Sequence, residues 1–161
     1  MMSNWQATMG AISGLLSVIC FVPYIITILQ GKTKPHRATW TIWLILGIVL
    51  SASYYSTGAV NTLWLPVCAA FGQFIIVILS IKHGEGGWSR FDRFCLIGVG
   101  ISLILWWQFN SAFIALLCNL FIDFLGALPT IKKSYYQPET EDLLTWILYL
   151  SASSFNLLAL E

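Results

Sequence analysis

Asp123 is the only charged residue that stands in the middle of an apolar run of this sequence. A carboxylate in such a run is costly unless it faces the interior of a helix bundle or water, and it is a functional-site candidate by default. Three roles are open for it: proton coupling, binding of a cationic part of a solute, or a neutral carboxyl group hydrogen-bonded between helices.

Three amide side chains occur at a similar depth in their apolar runs. Asn119 precedes Asp123 by four residues and therefore shares its face of a helix. Gln73 and Asn156 lie well inside two other runs. We predict that Asp123 and these amides bind a small polar solute. The alternative is that the amides serve as hydrogen-bonded links between helices.

Aromatic residues recur one turn apart near the starts of two apolar runs: Trp40 and Trp43 in one, Trp146 and Tyr149 in the other. Trp43 and Tyr149 are candidate substrate-binding residues because their rings can stack on a solute ring. Anchoring at the membrane interface is the other interpretation, and it is favoured for the tryptophans nearest the turn.

Pro23 and Pro129 lie within apolar runs. A proline inside a helix removes one backbone hydrogen bond, and its ring clashes with the preceding turn, so both positions predict a kink. Static kinks of this kind are common in membrane helices. Pro66, early in its run, is expected only to start a helix.

The composition indicates that lipid is the solvent of these runs. Hydrophobic residues make up 58% of the chain and charged residues 9%, whereas an average soluble domain has about 25% charged residues. Six apolar runs, roughly 8–30, 38–57, 62–82, 93–108, 111–132 and 142–160, approach the ~20 residues with which a helix crosses a membrane. We therefore predict an all-α integral membrane protein with one transmembrane domain over residues 1–161.

All eight Lys and Arg residues fall between runs 1 and 2, 3 and 4, or 5 and 6. The positive-inside rule then places these three connections in the cytoplasm and the N-terminus outside. His36 and His83 are expected to be solvated residues of the same loops. The net charge of +1 gives no basic patch for nucleic acid. The expected partners are a small-molecule solute and the lipid bilayer, and a homo-oligomer is left open.

The stretch that contains Pro23 returns later in the chain. The identical positions at an offset of 106 residues are Pro23 and Pro129, Ile25 and Ile131, Thr39 and Thr145, Trp40 and Trp146, and Leu44 and Leu150, and Trp43 also pairs with Tyr149. Proline and tryptophan are seventeen residues apart in both copies. Both copies run from outside to inside through the proline, so the predicted repeat is parallel rather than inverted.

Through these prolines, the repeated Thr-Trp pairs and the order of the runs, the chain resembles the PQ-loop superfamily, which includes the SWEET and SemiSWEET (MtN3-like) sugar transporters. The likeness is best over residues 20–50 and 126–156 and is to short bacterial members. It implies two parallel three-helix units around a linker helix, with Pro23 and Pro129 as hinges of cytoplasmic gates. Tyr24 and Thr130 stand here where the family has glutamine after the proline.

Six of the seven implied helices have a run in this sequence, a 3+1+2 arrangement in place of 3+1+3. The first unit spans 8–82, the linker helix 93–108 and the second unit 111–160, without its third helix. A further helix of about 25 residues is expected, either in a longer natural chain or from a partner subunit.

The resemblance implies a transporter that moves a small polar solute, such as a sugar, an amino acid or a vitamin-like compound, by alternating access across the bacterial inner membrane. A non-transporting membrane receptor or assembly protein on the same fold is the alternative. The sequence has no G-x-S-x-G, H-E-x-x-H or C-x-x-C spacing, so we expect no enzyme activity, no cofactor and no metal site. The four cysteines lie singly in apolar runs and are expected to be buried thiols.

Overall fold

The structure, a computed structural model, describes residues 4–58, 60–87, 89–108 and 112–160. Apart from one isolated bridge between His36 and Glu85, the regular elements in these ranges are helices. They are α1 (Asn4–Ile19), α2 (Phe21–Leu29), α3 (Arg37–Thr57), α4 (Trp64–His83), α5 (Arg90–Gln108), α6 (Ala112–Tyr136), a 3₁₀ turn (Pro138–Thr140) and α7 (Leu143–Leu158). The predicted all-α class is confirmed for the described part of the chain.

Six helical segments correspond to the six predicted runs, since α1 and α2 both belong to the first run. Three segments are long and apolar enough to cross a membrane: Trp5–Leu29, Arg37–Tyr55 and Trp64–His83. α5 begins three residues earlier than predicted, and α6 continues one turn further. Because of this extension Lys133 lies on the last turn of α6 and not in a loop.

The two repeat prolines affect their helices differently. Pro23 cannot donate a backbone hydrogen bond to Ile19, four residues earlier, and the helix is interrupted at Cys20 between α1 and α2. Pro129 lies inside α6, which remains one helix. Pro66 lies in the first turn of α4, where a missing N–H is tolerated, as predicted.

The bundle places helices side by side that are not consecutive in the chain. α4 packs against both α1 and α3, while α3 also packs against α6 and α7 packs against α1. α5 packs mainly on α6. Among the described residues, the backbones of α6 and α7 do not approach each other. α4 therefore joins α1 and α3 into one packed group, and α6 is joined to the bundle through α3.

Glycines bring α1 close to the start of α4. A Cβ on Gly14 would lie 2.9 Å from the Cβ of Trp64, and one on Gly10 would overlap the backbone carbonyl of Asn61. The two glycines are four residues apart, a spacing that lets the backbones of membrane helices approach. This Gly-x-x-x-Gly spacing is visible in the sequence, although the sequence analysis did not use it.

The apolar interior has two parts. One surrounds Tyr24 and Ile76 between α2, α3 and α4, and the other surrounds Ile42 and Ile122 between α3, α5 and α6. The cysteine prediction is confirmed for Cys20, Cys95 and Cys118, which are buried free thiols, while Cys68 is half-buried.

The packing of α4 against α2 predicts the effect of a substitution at Gly72. A Cβ at this position would overlap the ring of Phe21, which is 5% exposed and has little free space into which to move. We expect Gly72→Ala to lower the melting temperature of the purified protein in detergent, because overpacking a core costs about 1–3 kcal/mol.

Gly100→Ala is the matched control for this measurement. No described atom lies within 4 Å of a Cβ built at Gly100, and alanine is the better helix former, so the melting temperature should stay the same or rise. Equal melting temperatures for the two variants would contradict the close packing of α4 on α2.

Candidate functional site

Three connections meet at one end of the bundle, which we call the basic end. The backbone N–H of Lys34 donates to the carbonyl of Thr140 at 3.1 Å, and that of Arg37 donates to the carbonyl of Glu85 at 3.0 Å. The loop before α3, the loop after α4 and the turn before α7 are thereby bound to one another. All eight Lys and Arg residues belong to these connections or to the adjoining helix turns, so they lie on one side of the bundle.

Six aromatic rings from α2, α3 and α7 pack together inward of the basic end. We call them the aromatic cluster; its members are Phe21, Tyr24, Trp40, Trp43, Trp146 and Tyr149. The ring centroids of Tyr24 and Trp40 are 5.0 Å apart, and those of Trp43 and Trp146 are 5.8 Å apart. Phe21 meets Tyr149 edge-on at 6.4 Å. Ring pairs at such distances attract each other, and together they fill the space between the three helices.

The aromatic cluster brings repeat counterparts into contact. The ring centroids of Trp40 and Trp146 are 6.2 Å apart. Trp40 is only 3% exposed, so the interfacial-anchor interpretation is wrong for Trp40, whose indole packs against protein instead of headgroups. Trp43 and Tyr149 are half-buried. Both predicted substrate-binding rings therefore belong to the cluster and keep part of their surface free.

The side chain of Lys133 is buried where the three connections meet. Its Nζ lies 2.6 Å from Glu141 Oε1 and 3.7 Å from Glu85 Oε1, and the side chain is 5% exposed. Nζ also donates to the backbone carbonyls of Lys34 and Thr140. A buried ammonium group needs such a set of partners, because removing it from water is costly. Lys133 therefore joins all three connections.

Glu141 links this charge to the aromatic cluster. Its second carboxylate oxygen, Oε2, accepts hydrogen bonds from the hydroxyl of Tyr24 at 3.0 Å and from Nε1 of Trp146 at 3.2 Å. Nε1 of Trp40 donates to the same hydroxyl at 3.3 Å. We call Lys133, Glu141 and Tyr24 the Lys133 network. It connects α2 to α6 and to the turn before α7.

His36 is 8% exposed, so the prediction of a solvated residue is wrong for it. Its Nε2 lies 3.5 Å from Asp92 Oδ1. Burial lowers the pKa of His36, and the charge of Asp92 opposes this only in part. Burial also works against the ionisation of Asp92, but hydrogen bonds from Ser89 and Gly87 outweigh it and lower the pKa of that carboxyl group. His36 and Asp92 therefore form a pair of a neutral histidine and a carboxylate.

Asp123 lies on α6 beside Trp43 of α3. Trp43 Nε1 donates to the backbone carbonyl of Asp123 at 3.4 Å, and Tyr149 of α7 packs against the same buried cluster as Trp43. The side chain of Asp123 is exposed. Among the described residues no Lys, Arg or His pairs with it. Of the predicted site residues, Asp123 and Trp43 are thus in contact, and Tyr149 shares the aromatic cluster with Trp43.

Gln73, Asn119 and Asn156 each have a buried amide oxygen that accepts no hydrogen bond from the described residues. Gln73 is 7% exposed. Its Oε1 lies against Gly47, which follows Trp43 by one helical turn, since a Cβ on that glycine would be 2.7 Å away. These oxygens therefore do not act as hydrogen-bonded links between the described helices. Each buried oxygen left unpaired costs about 1–3 kcal/mol of stability.

The depth of the amides follows from the direction of their helices. α6 runs toward the basic end, and Asn119 precedes Asp123 by one turn. α7 runs away from the basic end, and Asn156 follows Tyr149 by two turns. Both amides therefore lie beyond the aromatic cluster as seen from the basic end.

A separate cavity of about 310 Å³ lies at the basic end, between α6 and the loop after α4. Its lining includes Pro129, Lys132, Tyr136, His36 and Asp92. None of the six predicted substrate-binding residues lines this cavity. Of the two predicted hinge prolines, Pro129 does. The described residues contain no group of three His, Cys, Asp or Glu side chains that could hold a metal ion.

Tyr24, Lys133 and Glu141 are not among the predicted site residues, although these three residues hold the basic end together. A tyrosine hydroxyl inside an apolar run is an available signal for Tyr24. Lys133 and Glu141 give no such signal, because their spacing in the sequence does not reveal that they pair or that they are buried.

Comparison of the chain with protein-family models, with curated proteins and with solved structures found no match.

Replacing Lys133 by methionine tests the Lys133 network. The variant leaves the carboxylate of Glu141 buried without its cation, and breaking a buried pair in this way costs about 3–5 kcal/mol. We expect the melting temperature in detergent to fall by several degrees. Lys132→Met, at the exposed neighbouring lysine, should leave it nearly unchanged. The double variant Lys133→Met/Glu141→Gln should recover part of the loss, because no unpaired charge remains. If Lys133→Met melts at the same temperature as the parent protein, the pair of Lys133 and Glu141 contributes nothing to stability.

His36 predicts a pH dependence of stability. Because its pKa is lower in the folded protein than in the unfolded chain, the unfolded state takes up a proton that the folded state resists. The contribution of neutral His36 to folding stability is therefore fully present above a pH of about 6.5, the pKa of histidine in the unfolded chain. It is lost as the pH falls from there toward the lower pKa of the folded protein.

Melting temperatures measured between about pH 8 and about pH 5 check this sign. The parent protein should lose more thermal stability over this interval than His36→Gln does. His83→Gln is the control and should behave like the parent. Equal losses in the parent and in His36→Gln would refute the assignment to His36.

Proposed function

We propose that the chain is a membrane transporter that moves a small polar solute by alternating access, with cytoplasmic gates hinged at Pro23 and Pro129. The residues proposed to bind the solute are Asp123, Asn119, Asn156, Gln73, Trp43 and Tyr149. A single transmembrane domain with two repeated units around the helix α5 carries these residues.

The observation that carries this proposal is the contact between the repeat counterparts Trp40 and Trp146, whose ring centroids are 6.2 Å apart. Each ring belongs to the helix that follows one of the two repeat prolines. Parting the two halves of the repeat separates these rings, and bringing the halves together closes the basic end. An alternating-access carrier needs such a closure on each side of its binding site.

The polar groups that a solute can use lie beyond this closure. Asp123 is exposed, and the amide oxygens of Gln73, Asn119 and Asn156 lack partners among the described residues. A polar solute that supplies donors to these oxygens removes the cost of leaving them unpaired. The free energy of binding then comes from groups that the empty protein leaves unsatisfied.

The length and apolar composition of three helices support a membrane location. In the proposed orientation the basic end faces the cytoplasm of a bacterial inner membrane, and the N-terminus lies outside. The Lys133 network and the aromatic cluster are both intact in this structure, which then represents the state closed to the cytoplasm.

Reconstitution into liposomes tests transport. The purified protein should give saturable flux of at least one labelled compound from a panel of sugars, amino acids, amines and vitamins, above that of protein-free liposomes.

Pro129→Ala should change this flux. Alanine restores a backbone hydrogen bond of about 1 kcal/mol, which shifts the balance between the open and closed states by a factor of about five.

Pro66→Ala is the matched control, since Pro66 lies in the first turn of α4 and has no intrahelical bond to restore. Flux that is the same in Pro23→Ala, in Pro129→Ala and in the parent would contradict the hinge. Binding of a compound without flux of any compound would favour a receptor or an assembly protein.

A further inference from the structure

We infer that the solute is a small organic cation, bound with its positive charge between the carboxylate of Asp123 and the aromatic faces of Trp43 and Tyr149. The inference rests on the proposed function, since it assigns a chemical class to the solute of that same site. The binding it describes can nevertheless be measured without any transport.

The charges of the chain give the first argument. All eight Lys and Arg residues lie at the basic end, and among the described residues no cation pairs with Asp123. A carboxylate near the middle of a membrane helix is expensive without a counter-charge. A cationic solute supplies that counter-charge when it binds, so the carboxylate favours this class over neutral compounds.

The rings beside the carboxylate give the second argument. The hydrogen bond from Trp43 Nε1 to the backbone carbonyl of Asp123, 3.4 Å long, keeps the indole next to that residue. Tyr149 of α7 packs against the same buried cluster as Trp43. Both rings are half-buried, so part of their surface is free. The faces of tryptophan and tyrosine attract cations through the ring quadrupole.

The unpaired amides give the third argument, which is independent of charge. Gln73 is 7% exposed, and its Oε1 accepts no hydrogen bond from the described residues. The oxygens of Asn119 and Asn156 are in the same condition. Oxygens of this kind require N–H or O–H donors, and an ammonium group is a donor without acceptors. An amine that also carries a hydroxyl group suits both the carboxylate and the amides.

The same groups disfavour the other solute classes. A carboxylate or a phosphate would meet the Asp123 carboxylate and the amide oxygens, with no described cation beside them. An amino acid brings a carboxylate of its own and meets the same repulsion. A neutral sugar can donate to the amides but leaves the charge of Asp123 uncompensated. The cationic class satisfies the carboxylate and the rings, and a cation with O–H or N–H groups also brings the donors that the amide oxygens lack.

Thermal-shift measurements on the purified full chain in detergent test the solute class. Choline, ethanolamine and tetramethylammonium should raise the melting temperature in a saturable way, because a ligand of the native state stabilises it. The uncharged tert-butyl analogue of choline should give no shift at the same concentration. Acetate and glycerol phosphate, as probes for the anionic class, should give none either.

Asp123→Asn removes the charge and keeps the shape of the side chain. It should bind choline roughly tenfold more weakly or worse, because the attraction between the carboxylate and the quaternary ammonium group is lost. Glu139→Gln makes the same acid-to-amide change at an exposed residue of the 3₁₀ turn and should bind choline as the parent does. The melting temperatures of both variants without ligand show whether they are folded.

Several outcomes would overturn the inference: equal shifts with choline and its uncharged analogue, full choline affinity in Asp123→Asn, or no shift with any of the cations. A shift with a neutral sugar alone would overturn the cation class and leave a carrier of neutral solutes standing. Choline binding that depends on Asp123, without flux in liposomes, would support the cation site and overturn the proposed transport.

Discussion

The basic end depends on one buried charge, the ammonium group of Lys133. Its side chain is 5% exposed, and a charge so far removed from water is tolerated only with several close partners. Those partners belong to the loop before α3, the loop after α4 and the turn before α7. The same contacts position Glu141, which in turn accepts hydrogen bonds from Tyr24 and Trp146. The packing of the aromatic cluster and the arrangement of the connections are therefore parts of one structure.

The helices could be predicted from the sequence, but the contacts of the basic end could not. Apolar runs of sufficient length specify helices by themselves, because the backbone has no other way to pair its polar groups in lipid. A charge in a connection has the same sequence signature whether it is solvated or buried, so Lys133 and His36 could not be recognised. Trp40 raised the same difficulty, since a ring near a helix end suits an interface as well as an interior. Trp43, Tyr149 and Asp123 were proposed from their types and positions, and the structure brings Asp123 and Trp43 into contact and places Tyr149 in the aromatic cluster with Trp43.

The bundle contains two layers with opposite hydrogen-bonding character. In the layer at the basic end, the Lys133 network pairs donors with acceptors and carries a charge of each sign. In the layer beyond the aromatic cluster, the amides of Gln73, Asn119 and Asn156 have unpaired oxygens, and Asp123 has no described counter-ion. The first layer is stable as it stands. In the second layer, donors that pair with these oxygens would remove the cost of leaving them unpaired, and this difference distinguishes the two layers.

The two helices that contain the repeat prolines differ in length. α2 is a segment of 9 residues that follows α1 after Cys20. α6 is an unbroken rod of 25 residues, about 37 Å long at about 1.5 Å per residue. Pro129 lies on this helix between Lys133 on one side and Asp123 and Asn119 on the other. A bend at Pro129 would therefore move the charged end of α6 while its polar middle stays in place.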